Sequence, residues 1–337
     1  MKTVCGIYLY GINLLRSCKV SILEVTTTLG CRVACAYCPQ ELYTKTFIER
    51  DRTTRLSLDT LKTSLDNIPE GTLSAVVFSG YSEPFLNPDC TSMILHCLSR
   101  NLPVEVFTTM VGVTLDDIDR LRDASIKWVI HIPDNQGLTK IKVDDNYFAM
   151  LEKLVDEFEE VVFLFTHGGL LFEYVHPEVL SFLNEKKIRF YDHLEHSRAG
   201  HISRKGMTSF RVPGKLRRCW RLNANVLLPN GDVTLCCQDF GQKHLLGNLV
   251  TSDYESLFTS EEFAKVEASL EDESIDSLCR QCVLYSFPEN PVARGYHALF
   301  RLGPPYIRMK MLSVFNELAR RVPSRKLQKH INNTPQK

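Results

Sequence analysis

The chain has 337 residues, 44% of them hydrophobic and 24% charged, and its 40 Lys and Arg are balanced by 40 Asp and Glu. Such a chain is long enough for one large domain, or one plus a smaller one, and needs no disulfide staples to bury a core. Zero net charge speaks against a globally basic nucleic-acid binder, and no run of eighteen apolar residues marks a membrane span. At the start, Asn13, Arg16 and Lys19 interrupt an apolar stretch, and no clean small-residue cleavage site follows. No signal peptide is read there, so a reducing, cytoplasmic setting is expected. "KVSILEVT" is a strand candidate. "SLDTLKTSLDNI" has helical spacing with Ser57 as N-cap, and "LSAVVFSG" reads as a buried parallel strand. "NPDCTSMILHCLSRN" is a helix, "PVEVFTTM" a strand, "TLDDIDRLRDAS" a helix capped by Thr114, and "IKWVIHIPD" a strand. "NYFAMLEKLVDEFEE", "VVFLFTH", "HPEVLSFLNEKK" and "IRFYDHLE" continue the alternation. Six strands interleaved with helices predict an α/β parallel sheet or partial barrel.

A Gly- and Arg-bearing linker follows at 197–213, and then Pro229-Asn230-Gly231 sits between two β-like runs, a hairpin signal. The predicted organisation is a barrel over 1–209, a smaller domain over 210–290 and a basic helical tail over 291–337 whose end is disordered. From Arg301 to Lys337 there are nine Lys and Arg against one acid, Glu317. An amphipathic basic helix of this kind suits an anionic membrane surface or a partner protein, or packs on the barrel.

Twelve cysteines are many for a reducing compartment, where they serve more often as metal ligands or catalytic groups than as disulfides. Cys5, Cys18, Cys90 and Cys97 are scattered and read as small buried hydrophobes. Cys31, Cys35 and Cys38 share one short stretch, "GCRVACAYCPQ". Thiolates suit iron–sulfur clusters, zinc or copper(I), and a structural zinc would want a fourth ligand nearby, which is lacking. Three ligands leave one metal position open.

The pattern Cys31-x3-Cys35-x-Tyr37-Cys38 after a first strand resembles the signature of the radical S-adenosylmethionine (radical SAM) superfamily. The resemblance implies a partial (β/α)6 TIM-like barrel and a [4Fe–4S] cluster whose uncapped iron holds S-adenosylmethionine (AdoMet). It also implies one-electron cleavage of AdoMet and hydrogen-atom abstraction by a 5′-deoxyadenosyl radical. By the same resemblance Gly80, Tyr81, Ser82 and Glu83 occupy the segment that binds the methionine amino group, though Tyr81 and Ser82 depart from its small-residue pattern. Thr108 matches part of a third-strand motif. His131 and Asp134 stand where relatives hold the ribose, and both are candidates for catalysis. Arg198, in "SRAG", matches a position that pairs with the methionine carboxylate.

Cys219, Cys236, Cys237, Cys279 and Cys282 form a second constellation, ending in a Cys-x2-Cys metal clasp. With the hairpin and the Gly247-Asn248 stretch it resembles the α+β SPASM/twitch extension of radical SAM enzymes. Five cysteines complete one four-thiolate cluster, so two [4Fe–4S] clusters are expected in all. The single-cluster twitch form fits better than full SPASM. Adjacent residues on a strand face opposite ways, so Cys236 is expected to bind and Cys237 is the alternative; a zinc clasp from the same four residues stays open.

The implied function is net oxidation of a small polar substrate (a sugar, an aminocyclitol or a nucleotide-linked intermediate), with an external donor of the flavodoxin or ferredoxin type. It rests partly on the roughly thirty residues ahead of Cys31, too few for a peptide-recognition domain. A peptide-modifying maturase, an epimerase using Cys90 or Cys97 as hydrogen donor, and a non-catalytic iron–sulfur protein are the alternatives.

Overall fold

The computed structural model describes residues 21–167, 174–194, 197–202 and 211–282. Cys5, Cys18, part of the linker and the basic tail lie outside the described residues. Six strands run parallel: β1 (Ile22–Val25), β2 (Ala75–Phe78), β3 (Val104–Thr108), β4 (Ile126–His131), β5 (Val161–His167) and β6 (Phe190–Leu194), each paired with the next. They are the six strands expected from the sequence.

Between β1 and β2 lie α1 (Gln40–Ile48) and α2 (Leu58–Asp66), of which α1 was not anticipated. Its sequence, QELYTKTFI, scatters β-branched residues, and Pro39 at its N-cap makes no side-chain capping bond. Helix α2 begins as expected, with the Ser57 side chain accepting from Thr60 N. The later connections carry α3 (Cys90–Ser99), α4 (Leu115–Leu121), α5 (Asp145–Glu157) and α6 (Pro177–Glu185). Thr114 and Asp117 close a reciprocal capping box at the start of α4. Strand alternation turns Trp128 and Ile130 toward the helix layer, where both are fully buried in the main core. Half-buried Lys127 and His131 take the opposite face.

The C-terminal segment extends this sheet rather than standing apart from it. Strand β7 (Ala224–Leu227) lies parallel to β1, with Ile22 opposite Ala224 and Val25 opposite Leu227. Strands β8 (Asp232–Thr234) and β9 (Leu245–Asn248) follow antiparallel, giving one nine-stranded sheet in the order β6-β5-β4-β3-β2-β1-β7-β8-β9. The expected Asn230-Gly231 turn joins β7 to β8. Gly231 has φ +89°, and a Cβ there would stand 2.5 Å from Val250 Cγ2. Helices α7 (Ser256–Thr259) and α8 (Glu261–Glu271) complete the described chain.

Candidate active site

The functional side chains gather where β1 to β6 end, the end at which parallel α/β barrels carry their sites. Cys31, Cys35 and Cys38 sit on the loop from β1 to α1, each half-buried. Ala34 between them has φ +47°, a left-handed value that a non-glycine residue rarely adopts, so the loop is held by its surroundings. Those surroundings are explicit. Ala36 N donates to Leu138 O at 2.7 Å and Lys140 N to Val33 O at 2.8 Å. The segment that provides these bonds is organised by Asp134, whose carboxylate accepts from the backbone N–H groups of Gln136, Leu138 and Thr139 and from the Thr139 hydroxyl, at 2.7 to 2.9 Å. Both oxygens of Asp134 are thus engaged in shaping the loop against which the cysteines rest.

Burial, then the neighbouring Cys38 and Cys31, push the Cys35 thiol up to about 12. Burial pushes Cys38 to about 11, against the pull of Arg198. The Tyr37 hydroxyl hydrogen-bonds Cys35. Desolvated, mutually repelling thiols of this kind ionise when a cationic core supplies the missing positive charge. Among the described residues no three His, Cys, Asp or Glu side chains converge on a single ion. Three thiols on one loop, with no fourth protein ligand beside them among the described residues, are a donor set that suits a four-iron cluster with one iron left free.

After β2 the chain turns through Gly80, with φ +53°; a Cβ there would fall 2.1 Å from Thr26 Oγ1, so only glycine permits this approach to the end of β1. Ser82 Oγ is buried with no hydrogen-bond partner among the described residues, a polar atom left for a ligand or water to satisfy. Glu83 is 4% exposed. Thr108 Oγ1 donates to it at 2.5 Å, and Thr109 N and Oγ1 each at 2.7 Å. Burial nevertheless raises its carboxyl to about 7. It lies close enough to Cys31 and Cys35 to oppose their ionisation. A buried carboxylate facing the thiol trio fits a ligand ammonium.

His131, at the end of β4, is lowered to about 4 by burial and then by Arg198, so the imidazole is neutral near pH 7. Arg198 has φ +47°, lies 5.8 Å over the Phe240 ring and acts electrostatically on Cys38, Tyr37, His131 and Cys237. It therefore stands between the two cysteine sets. The Tyr81 hydroxyl reaches the C-terminal hairpin, where it meets Thr234 and Cys236, while its backbone stays at the strand end and Cys38 packs against the cluster its ring belongs to. Cys90 and Cys97 are buried on α3 in the main core, as their scattered spacing suggested.

In the second set, burial and then Cys282 raise Cys219 to about 12, with a smaller push from Cys237. Cys279 is raised by burial, Cys282 and Cys219, and Cys236 by burial, Cys237, Cys282 and Cys279. Cys237, pushed to about 11 by burial, has Arg221, Glu24 and Arg198 as its charged neighbours instead. It packs against the Tyr81 and Phe240 cluster, as Cys38 does, and its charge also acts on Cys219 and Cys236. Non-local bonds hold the set together. Leu278 N donates to His244 Nε2 at 2.9 Å, and His244 Nδ1 lies 2.6 Å from Glu262 Oε1. Fully buried Arg280 donates to the carbonyls of Val212, Gly214 and Leu270.

Two family models match the chain: the radical SAM superfamily over residues 25–135, and SPASM, an iron–sulfur cluster-binding domain, over 219–283. The chain is a radical SAM enzyme with a C-terminal SPASM domain. Its cofactors are [4Fe–4S] clusters and AdoMet. Solved structures share the fold. BtrN in complex with AdoMet and 2-DOIA is 18% identical, with 82% of this chain and 95% of that chain covered at TM-score 0.50. Streptococcus suis SuiB bound to the precursor peptide SuiA is 13% identical, covering 85% and 74% at TM-score 0.57. anSMEcpe with bound AdoMet is 14% identical, covering 89% and 100% at TM-score 0.51. No match is found among the curated proteins. Among the described residues no helix is long and apolar enough to cross a membrane.

In this radical SAM enzyme, two residues beside the cysteines, Glu24 and Gln40, went unread in the sequence. Glu24, 5% exposed, pairs with Arg221 and accepts from Ser79 Oγ at 3.2 Å. Its signal was a lone acid inside the apolar run "SILEV". Gln40, whose Nε2 lies 3.6 Å from Cys38 Sγ, gave no such signal.

Proposed function

We propose that this radical SAM enzyme oxidises a small polar substrate such as a sugar, an aminocyclitol or a nucleotide-linked intermediate. When bound, the clusters and AdoMet supply one-electron carbon–sulfur cleavage and hydrogen-atom abstraction. We assign Cys31, Cys35 and Cys38 to the AdoMet-binding cluster, and Cys219, Cys236, Cys279 and Cys282 to one auxiliary cluster of the twitch kind. Glu83 and Ser82 receive the AdoMet ammonium, Arg198 its carboxylate, and Thr108 fixes the rotamer of Glu83. Neutral His131 lines the same end and suits hydrogen bonding to a ribose or a substrate hydroxyl. Asp134 is a positioning residue for the cluster loop. Tyr37 steadies Cys35.

The observation that carries the oxidative reading is the second thiol set. Four neighbouring thiols, three of them buried, leave no metal position for substrate, which favours a role in taking up an electron over one in binding. BtrN, with 2-DOIA bound, provides a precedent of this fold for a small ligand. The same fold also appears with a peptide bound in SuiB, and that makes peptide modification the second reading. An external flavodoxin- or ferredoxin-type donor supplies electrons in either reading, and a reducing cytoplasm suits a cluster that half-buried Cys31, Cys35 and Cys38 would hold.

The test is anaerobic reconstitution followed by dithionite and AdoMet, with mass-spectrometric detection of 5′-deoxyadenosine and methionine. Turnover that rises with an aminocyclitol or sugar panel and not with peptides supports the proposal. Stimulation by peptides alone moves it to the second reading, and no 5′-deoxyadenosine at all leaves a non-catalytic iron–sulfur protein.

A further inference from the structure

Tyr81 joins the two cysteine sites. It lies two residues before Glu83, its backbone belongs to the AdoMet end, and its ring is 1% exposed. On the first side, its N–H donates to Thr26 Oγ1 at 3.1 Å and its carbonyl accepts from Gln40 Nε2, the same amide nitrogen that lies 3.6 Å from Cys38 Sγ. On the second side, its hydroxyl donates to Cys236 O at 2.8 Å. That hydroxyl also lies 2.8 Å from Thr234 Oγ1. A phenol has one proton, so Thr234 is the donor in that contact. The ring is clamped between Tyr43 at 4.9 Å and Phe240 at 4.7 Å. A close-packed side chain bonded at both ends transmits a displacement rather than absorbing it.

We propose that Tyr81 is a positioning residue that couples AdoMet binding at residues 80–83 to the auxiliary cluster, through its hydrogen bond to the backbone of Cys236. The chain of contacts runs from Cys38 through Gln40 and Tyr81 to Cys236. A ligand that draws Glu83 and Ser82 toward itself pulls on the Tyr81 carbonyl, and the hydroxyl follows. The donor end of a dipole then moves relative to a cluster-bearing residue, and such outer contacts tune the metal they surround. This rests on the assignments made above for AdoMet and for Cys236.

The experiment is a redox titration of the auxiliary cluster in the reconstituted holoenzyme, with and without AdoMet, followed by electron paramagnetic resonance. Wild type, Tyr81→Phe and Gln40→Leu are compared. Iron content and an AdoMet binding isotherm on the same samples test the underlying assignments separately. The expected result is an AdoMet-dependent shift of the midpoint potential and line shape in wild type that is lost in Tyr81→Phe and reduced in Gln40→Leu, while iron content and AdoMet binding persist. Tyr81→Phe also lowers the potential without AdoMet, since a donor near the cluster is removed. A shift of wild-type size in both variants overturns the proposal, as does a wild type that binds AdoMet and both clusters but shows no shift. Gln40→Leu leaves the buried ring in place, so the question stands even if Tyr81→Phe folds poorly.

Discussion

The two thiol sets of this molecule are built in opposite ways. The first takes three cysteines from a single eight-residue loop, all half-buried, and is propped from outside by the 134–140 segment. The second draws on three separate segments, at Cys219, Cys236 and Cys279–Cys282, and buries three of its four thiols. A local motif leaves an open face for a small molecule, whereas a site assembled across 64 residues closes over whatever it holds. The first is therefore suited to binding and chemistry, the second to holding charge.

The sharpest test of this contrast is Cys35→Ala. It should abolish 5′-deoxyadenosine formation and remove about half of the iron while the auxiliary signal survives. Loss of both clusters would mean that the sites do not load independently. Next comes the adjacent pair. Cys236→Ala should also lose about half of the iron, and Cys237→Ala should lose none; the reverse pattern would exchange their roles. A smaller effect is expected at Glu83. Glu83→Gln should weaken AdoMet binding roughly 10- to 100-fold, as loss of a charge-assisted contact does. Burial holds the folded carboxyl at about 7 against an ordinary 4.5, so the folded chain binds this proton more tightly than the unfolded one. Its contribution to stability is then fully present below about 4.5 and lost as pH rises through about 7. Affinity for the AdoMet ammonium runs the other way and falls as pH drops below that value. Calorimetric titration of the cluster-loaded protein at pH 6 and pH 8 reads this dependence, which Glu83→Gln should flatten. The smallest effect belongs to the outer prop. Asp134→Asn places an amide against backbone donors and should cost about 1–3 kcal/mol, seen as a lowered melting temperature with AdoMet turnover retained in part.

What could be read in the sequence was local. The trio's spacing, the Ser57 and Thr114 caps and the Asn230-Gly231 turn all depend on residues within a few positions of one another. The barrel strands were legible because each is an apolar run between helical segments. The pairing of β7 with β1 was not, because it aligns Ile22 with Ala224 across two hundred residues and neither strand carries a mark of the other. Helix α1 was missed because it has no side-chain cap and only a weak apolar stripe. Strand alternation does not decide between Cys236 and Cys237, because β8 ends at Thr234 and both lie in the turn beyond it; what distinguishes them is that Cys237 has Arg221 and Glu24 as charged neighbours. Tyr81 was read as a cofactor contact from its motif position, and its side chain has its hydrogen-bond partners in the hairpin instead.

Strand β7 also decides what happens if the two halves are separated. In an open barrel β1 would be a terminal strand, with its outer amides and carbonyls bare and available to any other chain in solution. Here those groups are satisfied by residues 224–227, so a fragment ending before them should expose a sticky rim and aggregate even though its own six strands are intact.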